Sequence, residues 1–411
     1  MRPCPVLTLR VDTSLASIDA AAWDGLLQAQ ATPTPFLCHA YLLAMETTGC
    51  AAPETGWEPH YFSLWDGGVL QAACALYVKS HSYGEYVFDW AWANAYHQHG
   101  LRYYPKAVLA VPFTPVPGSR LLARSTTQRT ELLAQVRDWC NSQGMSSLHL
   151  LFGDAQDMAA ANALGMLERH TVQFHWTNSV KGYRDFDEFL SVLAQDKRKK
   201  VRQERRKVRE AGVSFSVREG SAISETDWDF FYRCYERTYL EHGNPPYLNR
   251  AFFSRLASHQ PEDWVMFIGA RNGVPIASSL IAIYADPMRA RTQNGTEHPA
   301  ETGGSVAYGR YWGALEPVDC LHFEACYYQP LQWCIAHGIA RFEGGAQGEH
   351  KMARGLLPVT TCSAHWLAHP QFADAVDRFL ERERAGVQGY LQELEMHSPL
   401  RGAAAPRPDT A

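Results

Sequence analysis

Two carboxylates and a histidine in the last third of the chain are placed to move a proton. Glu343 follows the short strand expected around Ile339 to Phe342, Gly344 and Gly345 follow at once, and the polar residues Gln347, Glu349, His350 and Lys351 come next. Glycine lets a backbone turn, or approach a ligand, where a side chain would forbid it. Glu324 lies between Phe323 and Ala325 in LHFEAC, whose alternation predicts a strand. An apolar setting raises a carboxyl group toward the range of a useful base. Glu343 and Glu324 are therefore candidate bases, although an ion-paired edge acid suits Glu324 equally well. His350 titrates near neutrality and is a candidate base or substrate contact, against the commoner structural role of a lone histidine. Tyr308, with Tyr311, Tyr327 and Tyr328, offers a hydroxyl that could serve as general acid, or could simply pack.

The elements that must position these groups read as helix end, buried strand, glycine turn and second helix. Leu331, Trp333, Cys334 and Ile335 lead to Gly338, which suits the left-handed residue that closes a helix. A tight turn with a solvated helix start is the plainer alternative. With 411 residues, two domains are the default. Residues 1–178 read as a first α/β unit: helices around Ala20 to Gln30 and Ala40 to Thr47, a hairpin turning at Asp66-Gly67-Gly68, then helix Thr127 to Ser142, strand Ser147 to Phe152, helix Ala155 to Leu164 and strand Val172 to Trp176. Residues 179–397 repeat that order, with helix Trp228 to Glu241 and a hairpin turning at Asn272-Gly273, so the chain reads as a duplicated fold. Pro287 to Gly304 reads as a loop over the second unit, and 398–411 as a disordered tail.

Charge and cysteine usage narrow the setting. The net charge is −5, yet Lys197 to Arg209 holds nine basic residues and one acid, a local +8 that leaves −13 for the remainder. So local a cluster argues against a general nucleic-acid binder. The ten cysteines include no C-x-x-C pair, which fits a reduced, cytoplasmic protein. The N-terminus lacks the apolar core of a signal peptide, and no run approaches the roughly 20 apolar residues that span a bilayer. His97 and His99 share one face of a possible strand, but no third ligand accompanies them and no metal site is expected. Walker, zinc and G-x-S-x-G spacings are lacking.

Three segments carry a family resemblance: LQWCIAHG-ARFEGG with Glu349-His350-Lys351, the basic stretch DKRKKVRQERRKVREAGVSFSV, and YVFDWAWANAYHQHGLRYYPKAVLAVPFTPVPGSRLL. Together they resemble the FemAB-like branch of the GNAT acyltransferase superfamily, of the bacterial peptidoglycan biosynthesis or recognition type. That resemblance implies an α/β fold of tandem GNAT-like units, mixed central sheets flanked by helices, with the active centre in the second. It further implies transfer of an acyl or aminoacyl group to an amine, with no resident cofactor and with aminoacyl-tRNA or acyl-CoA as co-substrate. Acyl transfer needs a neutral amine, a stabilised carbonyl oxygen and both reactants held close, so Gly344, Gly345, Gln347 and Lys351 are expected to contact substrate.

An acetyl-CoA enzyme follows its central strand with a glycine loop that holds pyrophosphate. Placed at Cys326 to Pro330, that position holds no glycine, which weakens the acyl-CoA assignment and favours the Fem-type branch, whose members take aminoacyl groups from aminoacyl-tRNA, while the donor stays open. Apolar residues Leu190, Leu193, Val201 and Val208 predict a helix over Leu190 to Ala211 with Arg198, Arg202, Arg205 and Arg206 on solvated faces. Such crowded cations call for an anion: a nucleotide-linked acceptor, a tRNA stem or acids elsewhere in the chain. The resemblance points to Arg198, with Arg202 beside it, as the phosphate contact. The competing expectation is a non-catalytic protein that uses the same fold to bind a cell-wall or anionic metabolite. Oligomeric state stays open.

Overall fold

Residues 7–285, 304–346 and 348–401 are described in the computed structural model of the chain. By compactness the chain divides discontinuously. One unit takes the residues up to Thr171 with Tyr247–Phe252 and Thr360–Gln388; the other takes Val172–Pro246, Phe253–Val359 and the residues from Gly389. Contiguous halves at 1–178 and 179–397 remain a proposal about duplication.

In the first unit the elements are β1 (Thr8–Asp12), α1 (Ala20–Gln28), α2 (His39–Thr47), β2 (Trp57–Asp66), β3 (Val69–Lys79), α3 (Trp90–Gln98), β4 (Lys106–Leu109), β5 (Leu122–Ala123), α4 (Thr126–Ser142), β6 (Ser147–Gly153), α5 (Ala155–Ala163) and the start of β7 (Leu167–Thr177). Its strand order is β1-β2-β3-β4-β6-β13, where β13 is Leu357–Leu367, and all pairs are antiparallel except β4 with β6. The β2–β3 hairpin turns at Gly67 and Gly68, both at positive φ. α4 starts where Ser125 Oγ accepts the Gln128 amide, and it buries Leu132, Leu133, Val136 and Cys140 against Phe62, Leu64, Cys74 and Leu76 of the sheet. His97 and His99 sit at the exposed end of a helix, not on a strand, and His99 Nδ1 is spent on the Ala95 carbonyl.

The second unit continues through α6 (Phe186–Val192), α7 (Gln195–Glu210), β8 (Val213–Glu219), α8 (Glu225–Glu241), α9 (Arg250–His259), β9 (Trp264–Arg271), β10 (Val274–Tyr284) and β11 (Val306–Ala314). Then α10 (Leu321–Phe323) runs through a π turn (Glu324–Tyr328) into α11 (Gln329–Ala336), followed by β12 (Arg341–Ala346) and a 3-10 turn (Glu349–Arg354); α12 (Pro370–Met396) begins in the first unit and ends here. The strand order is β7-β12-β11-β10-β9-β8, antiparallel except for β11 with β12. Each unit is thus a mixed sheet flanked by helices. The core of the second packs Phe174, Trp176, Phe189, Leu190, Phe267, Ile281, Leu331, Phe342 and Leu356.

Three sequence expectations are corrected here. LHFEAC is helical: Cys320 at φ 65° starts a turn, and the π turn continues into α11, so the apparent alternation belongs to a helix. The helix expected over Leu190 to Ala211 is two, because Leu193 is extended and bridges Leu400. That bridge also orders the first part of the tail, where the Ala194 amide donates to Pro399 O and the Arg401 amide to Val192 O. Gln347, the loop from Pro287 and the tail beyond Arg401 lie outside the described residues. Among those described, no helix is long and apolar enough to cross a membrane, and the nine cysteines are all free.

α8 lies close against β11 because Gly313 has no side chain. A Cβ there would stand 1.9 Å from Cys234 O, a backbone atom that cannot swing away. Gly313→Ala should therefore lower stability by about 1–3 kcal/mol, read as a lower urea midpoint; an unchanged midpoint would mean that α8 slides freely on the sheet.

Candidate active site

β11 and β12 pair in parallel through Val306↔Arg341, Ala307↔Phe342 and Tyr308↔Glu343, and pairing stops there although both strands continue. On its other side β12 meets β7 antiparallel, with Glu343 opposite His175 and Ala346 opposite Gln173. Three steps of β12 span two of β7, so Gly344 and Gly345 form a bulge, with Gly345 at φ 79°. Gly344 is tightly packed as well: a Cβ there would lie 2.5 Å from Leu356 Cδ2, so the buried Leu356 side chain would have to move. The bulge turns carbonyls out of the ladder, and Lys351 Nζ donates to two of them, Gly345 O at 2.9 Å and Ala346 O at 3.2 Å.

Burial sets the electrostatics of this junction. Glu343 and Lys351 are each 3% exposed, and Tyr308 is 2% exposed. Arg341 donates to Glu343 Oε1 from Nε at 3.0 Å and Nη2 at 2.9 Å, while His175 Nε2 stands 3.9 Å from Oε2. Burial, then the charges of Arg341 and Lys351, brings His175 down to about 3, so its ring is neutral at physiological pH. Burial alone lowers the Lys351 ammonium to about 8. Burial also lowers His322 to about 4 and depresses His350, with Arg354 and Lys351 adding to both. His350 is exposed, and its Nε2 lies 3.2 Å from the Tyr327 hydroxyl, which burial keeps protonated. Neutral imidazoles and a carboxylate thus surround one buried lysine, a set able to accept protons.

The turn that carries His350 and Lys351 is fixed from behind. Arg354, 1% exposed, donates from Nη2 to both oxygens of Glu204 at 2.9 Å and from Nη1 to His350 O at 2.5 Å, with Cζ 3.5 Å above the Phe323 ring. The Tyr328 hydroxyl donates to the same Glu204 carboxylate.

A separate cleft of about 1250 Å³ opens beside α7. Six cations line it (Arg184, Lys199, Arg202, Arg205, Arg206 and Arg209) against three carboxylates, Asp185, Asp187 and Glu324. Glu324 is held by Arg205, whose Nε and Nη2 reach Oε1 at 3.1 and 3.0 Å, and by Gln329 Nε2 at 2.7 Å. The ion-paired reading of Glu324 is the one this geometry favours. Arg202 lines the cleft, with Asp187 at 3.7 Å; Arg198 does not, and its Nη1 donates to Ser191 O.

The structure brings together Tyr308, Glu343, Gly344, Gly345 and Lys351, places His350 with Tyr327, and puts Glu324 and Arg202 in the basic cleft. Sequence reasoning missed His175, Arg341, Glu204 and Arg354. The alternation of Gln173 and His175 within TVQFHWT was the available signal for the first. Buried ion pairs between distant residues leave none.

A family profile described as FemAB-like, peptidoglycan biosynthesis/recognition, matches residues 14–402. No curated protein matches the chain in sequence. Among solved structures, FemX is 10% identical with a TM-score of 0.52, covering 88% of this chain and 98% of its own. L-PGS from Bacillus licheniformis is 11% identical (TM-score 0.49, 88% and 97% covered), and a tandem GNAT protein from the clavulanic acid pathway is 12% identical (TM-score 0.43, 89% and 99%). The likeness to FemX is one of fold.

The depressed Lys351 makes stability depend on pH in a definite direction. The unfolded chain keeps this proton to about 10.5 and the native protein releases it at about 8. Between those values the unfolded state binds more protons, so raising the pH favours the native state. Wild type measured against Lys351→Met should gain up to about 3 kcal/mol across that window. Parallel stability curves for the two proteins would show the ammonium to be unperturbed.

Proposed function

The chain belongs to the FemAB-like family, and from that membership we propose an aminoacyltransferase that moves the aminoacyl group of an aminoacyl-tRNA onto an amine of a peptidoglycan precursor. The observation that carries this reading is the end of the parallel ladder at Tyr308 and Glu343, beside a glycine bulge held by a buried lysine. There a neutral amine attacks the ester carbonyl; the N–C bond forms, and the C–O bond to the ribose breaks. Glu343, or His350 as a neutral imidazole, takes the amine proton, and a tyrosine hydroxyl, Tyr308 or Tyr327, supplies one to the leaving ribose oxygen. Lys351 and the bulge hold the strand end that presents these groups.

The choice of donor rests on the segment after β11. With LHFEAC helical, the strand-to-helix connection is Leu315 to Cys320, not Cys326 to Pro330, and it too lacks glycine. It carries Glu316, paired with Arg271, and Asp319, 2.7 Å from Lys207 Nζ. With its two acids already paired and no glycine to bare backbone amides, this connection offers no cradle for a pyrophosphate, which weighs against acyl-CoA. The cations of the α7 cleft supply instead a surface for a polyanion; Lys199 and Arg209 have no ion pair among the described residues.

A panel of aminoacyl-tRNA and acyl-CoA donors tests the reading. Transfer should come from aminoacyl-tRNA, and Glu343→Gln should lower kcat by roughly 10²- to 10⁴-fold with acceptor binding retained. Unchanged turnover would make Glu343 structural. No transfer from any donor, with a precursor still bound, would assign the chain a binding role.

Binding should respond to the cleft independently of turnover. Arg202→Ala with Arg206→Ala should weaken tRNA binding and flatten the plot of log affinity against log salt by roughly one unit per cation removed. Arg198→Ala, outside the cleft, should do less. Equal affinity and slope in wild type and double variant would return α7 to an ordinary solvated helix.

A further inference from the structure

Away from that site, three metal-ligating side chains converge in the first unit. Glu168 and His170 are two residues apart on β7 and project from one face of the strand, while Cys362 comes from β13. Glu168 Oε1 lies 2.9 Å from His170 Nε2, and one ligand atom from each of the three residues lies within 4.8 Å of the others. All three side chains are half-buried. They are shielded enough to be fixed, yet open enough for an ion to enter.

We propose that Glu168, His170 and Cys362 form a zinc site, with water as the fourth ligand. Zinc bonds of about 2.0–2.3 Å to oxygen, nitrogen and sulfur place ligand atoms roughly 3.3–3.8 Å apart in a tetrahedron. A small rotation of the Glu168 side chain opens its 2.9 Å contact with His170 and lets the three ligand atoms, now within 4.8 Å of one another, take that spacing. Cysteine, histidine and carboxylate together suit Zn²⁺ and exclude the hard ions Mg²⁺ and Ca²⁺, which take oxygen ligands. Charge balances as well: a thiolate and a carboxylate neutralise the ion, the imidazole binds uncharged, and the thiol proton leaves to solvent.

The surroundings hold the ligands in register. Thr171 Oγ1 and Thr361 Oγ1, each the chain neighbour of a ligand, are hydrogen-bonded at 2.7 Å, and Arg384 Nη2 donates to Glu168 O at 3.3 Å. Ligands mounted on paired strands lose little freedom when the ion binds. Within the first unit, the bound ion would tie β13 to β7.

Cobalt(II), which reports zinc sites by its absorption, tests the proposal in the full, metal-free chain. One equivalent should bind and give a thiolate-to-cobalt charge-transfer band with the visible bands of a four-coordinate ion, and zinc should displace both. Cys362→Ser should lose the charge-transfer band while melting like metal-free wild type. His170→Ala should keep a thiolate band but bind at least about tenfold more weakly. At one fixed concentration zinc should raise the Tm of wild type most, that of His170→Ala less and that of Cys362→Ser least. The proposal is overturned if saturating cobalt gives no thiolate band, if Cys362→Ser gives the same band as wild type, or if His170→Ala binds as tightly.

Discussion

Much of the second unit depends on one buried carboxylate. Glu204 sits 7% exposed on a helix otherwise crowded with cations, a position tenable only because Arg354 and Tyr328 both donate to it. Removing one partner of such a pair costs on the order of 3–5 kcal/mol, since the other is left charged and dry. Two consequences follow from keeping it. Val201, Glu204 and Val208 recur at spacings of three and four, so this face of α7 turns inward and the arginines turn out to line the cleft. Arg354 also bonds the His350 carbonyl, so the same pair fixes the 3-10 turn from which His350 and Lys351 project.

The bulge and the lysine constrain one another. Gly344 and Gly345 add a residue to β12, which turns half-buried carbonyls away from the β7 ladder beside the buried Glu343 and Lys351. Unpaired, those carbonyls would be costly. Lys351 pairs two of them, and the desolvation it accepts in return lowers its ammonium to about 8. A group that titrates so close to neutrality is the product of a backbone requirement, and it leaves a variable charge within range of His175, His322 and His350.

How much of this was legible follows from where the information lies. The hairpins, α4, β6, α5 and the end of α11 before Gly338 carry their own turn residues and periodicity, and they form close to where the sequence places them; beyond Gly338 the glycine pair is a bulge inside β12 and not a turn, and in place of the expected second helix stands a 3-10 turn. Glu343, Gly344, Gly345 and Lys351 could be singled out as candidates because they fall within nine positions of one another. LHFEAC misled because six residues cannot separate a period of two from a helix entering a π turn. Glu204 misled more deeply. It looked like the one acid in a basic run, yet it is the only charged residue of α7 that is buried, and its partners lie 124 and 150 positions away. Nothing in a local window distinguishes a buried acid from a solvated one.

The two units share a construction and differ in what stands at its end. Each has a three-pair parallel ladder, Ala107 to Leu109 with Leu148 to Leu150 in the first and Val306 to Tyr308 with Arg341 to Glu343 in the second. In the first, the ladder ends on Leu109 and Leu150, both fully buried and unable to donate or accept a proton. Its polar groups lie further back and are bonded to one another: His149 to His365 and Ser147, each at 2.7 Å, and Lys106 to Ser82, Glu85 and Asp89. In the second, the ladder ends on a phenol and a carboxylate beside a backbone bulge. If the units arose by duplication, the first has turned its strand end into core, and the second alone has kept polar chemistry at the point where the strands part.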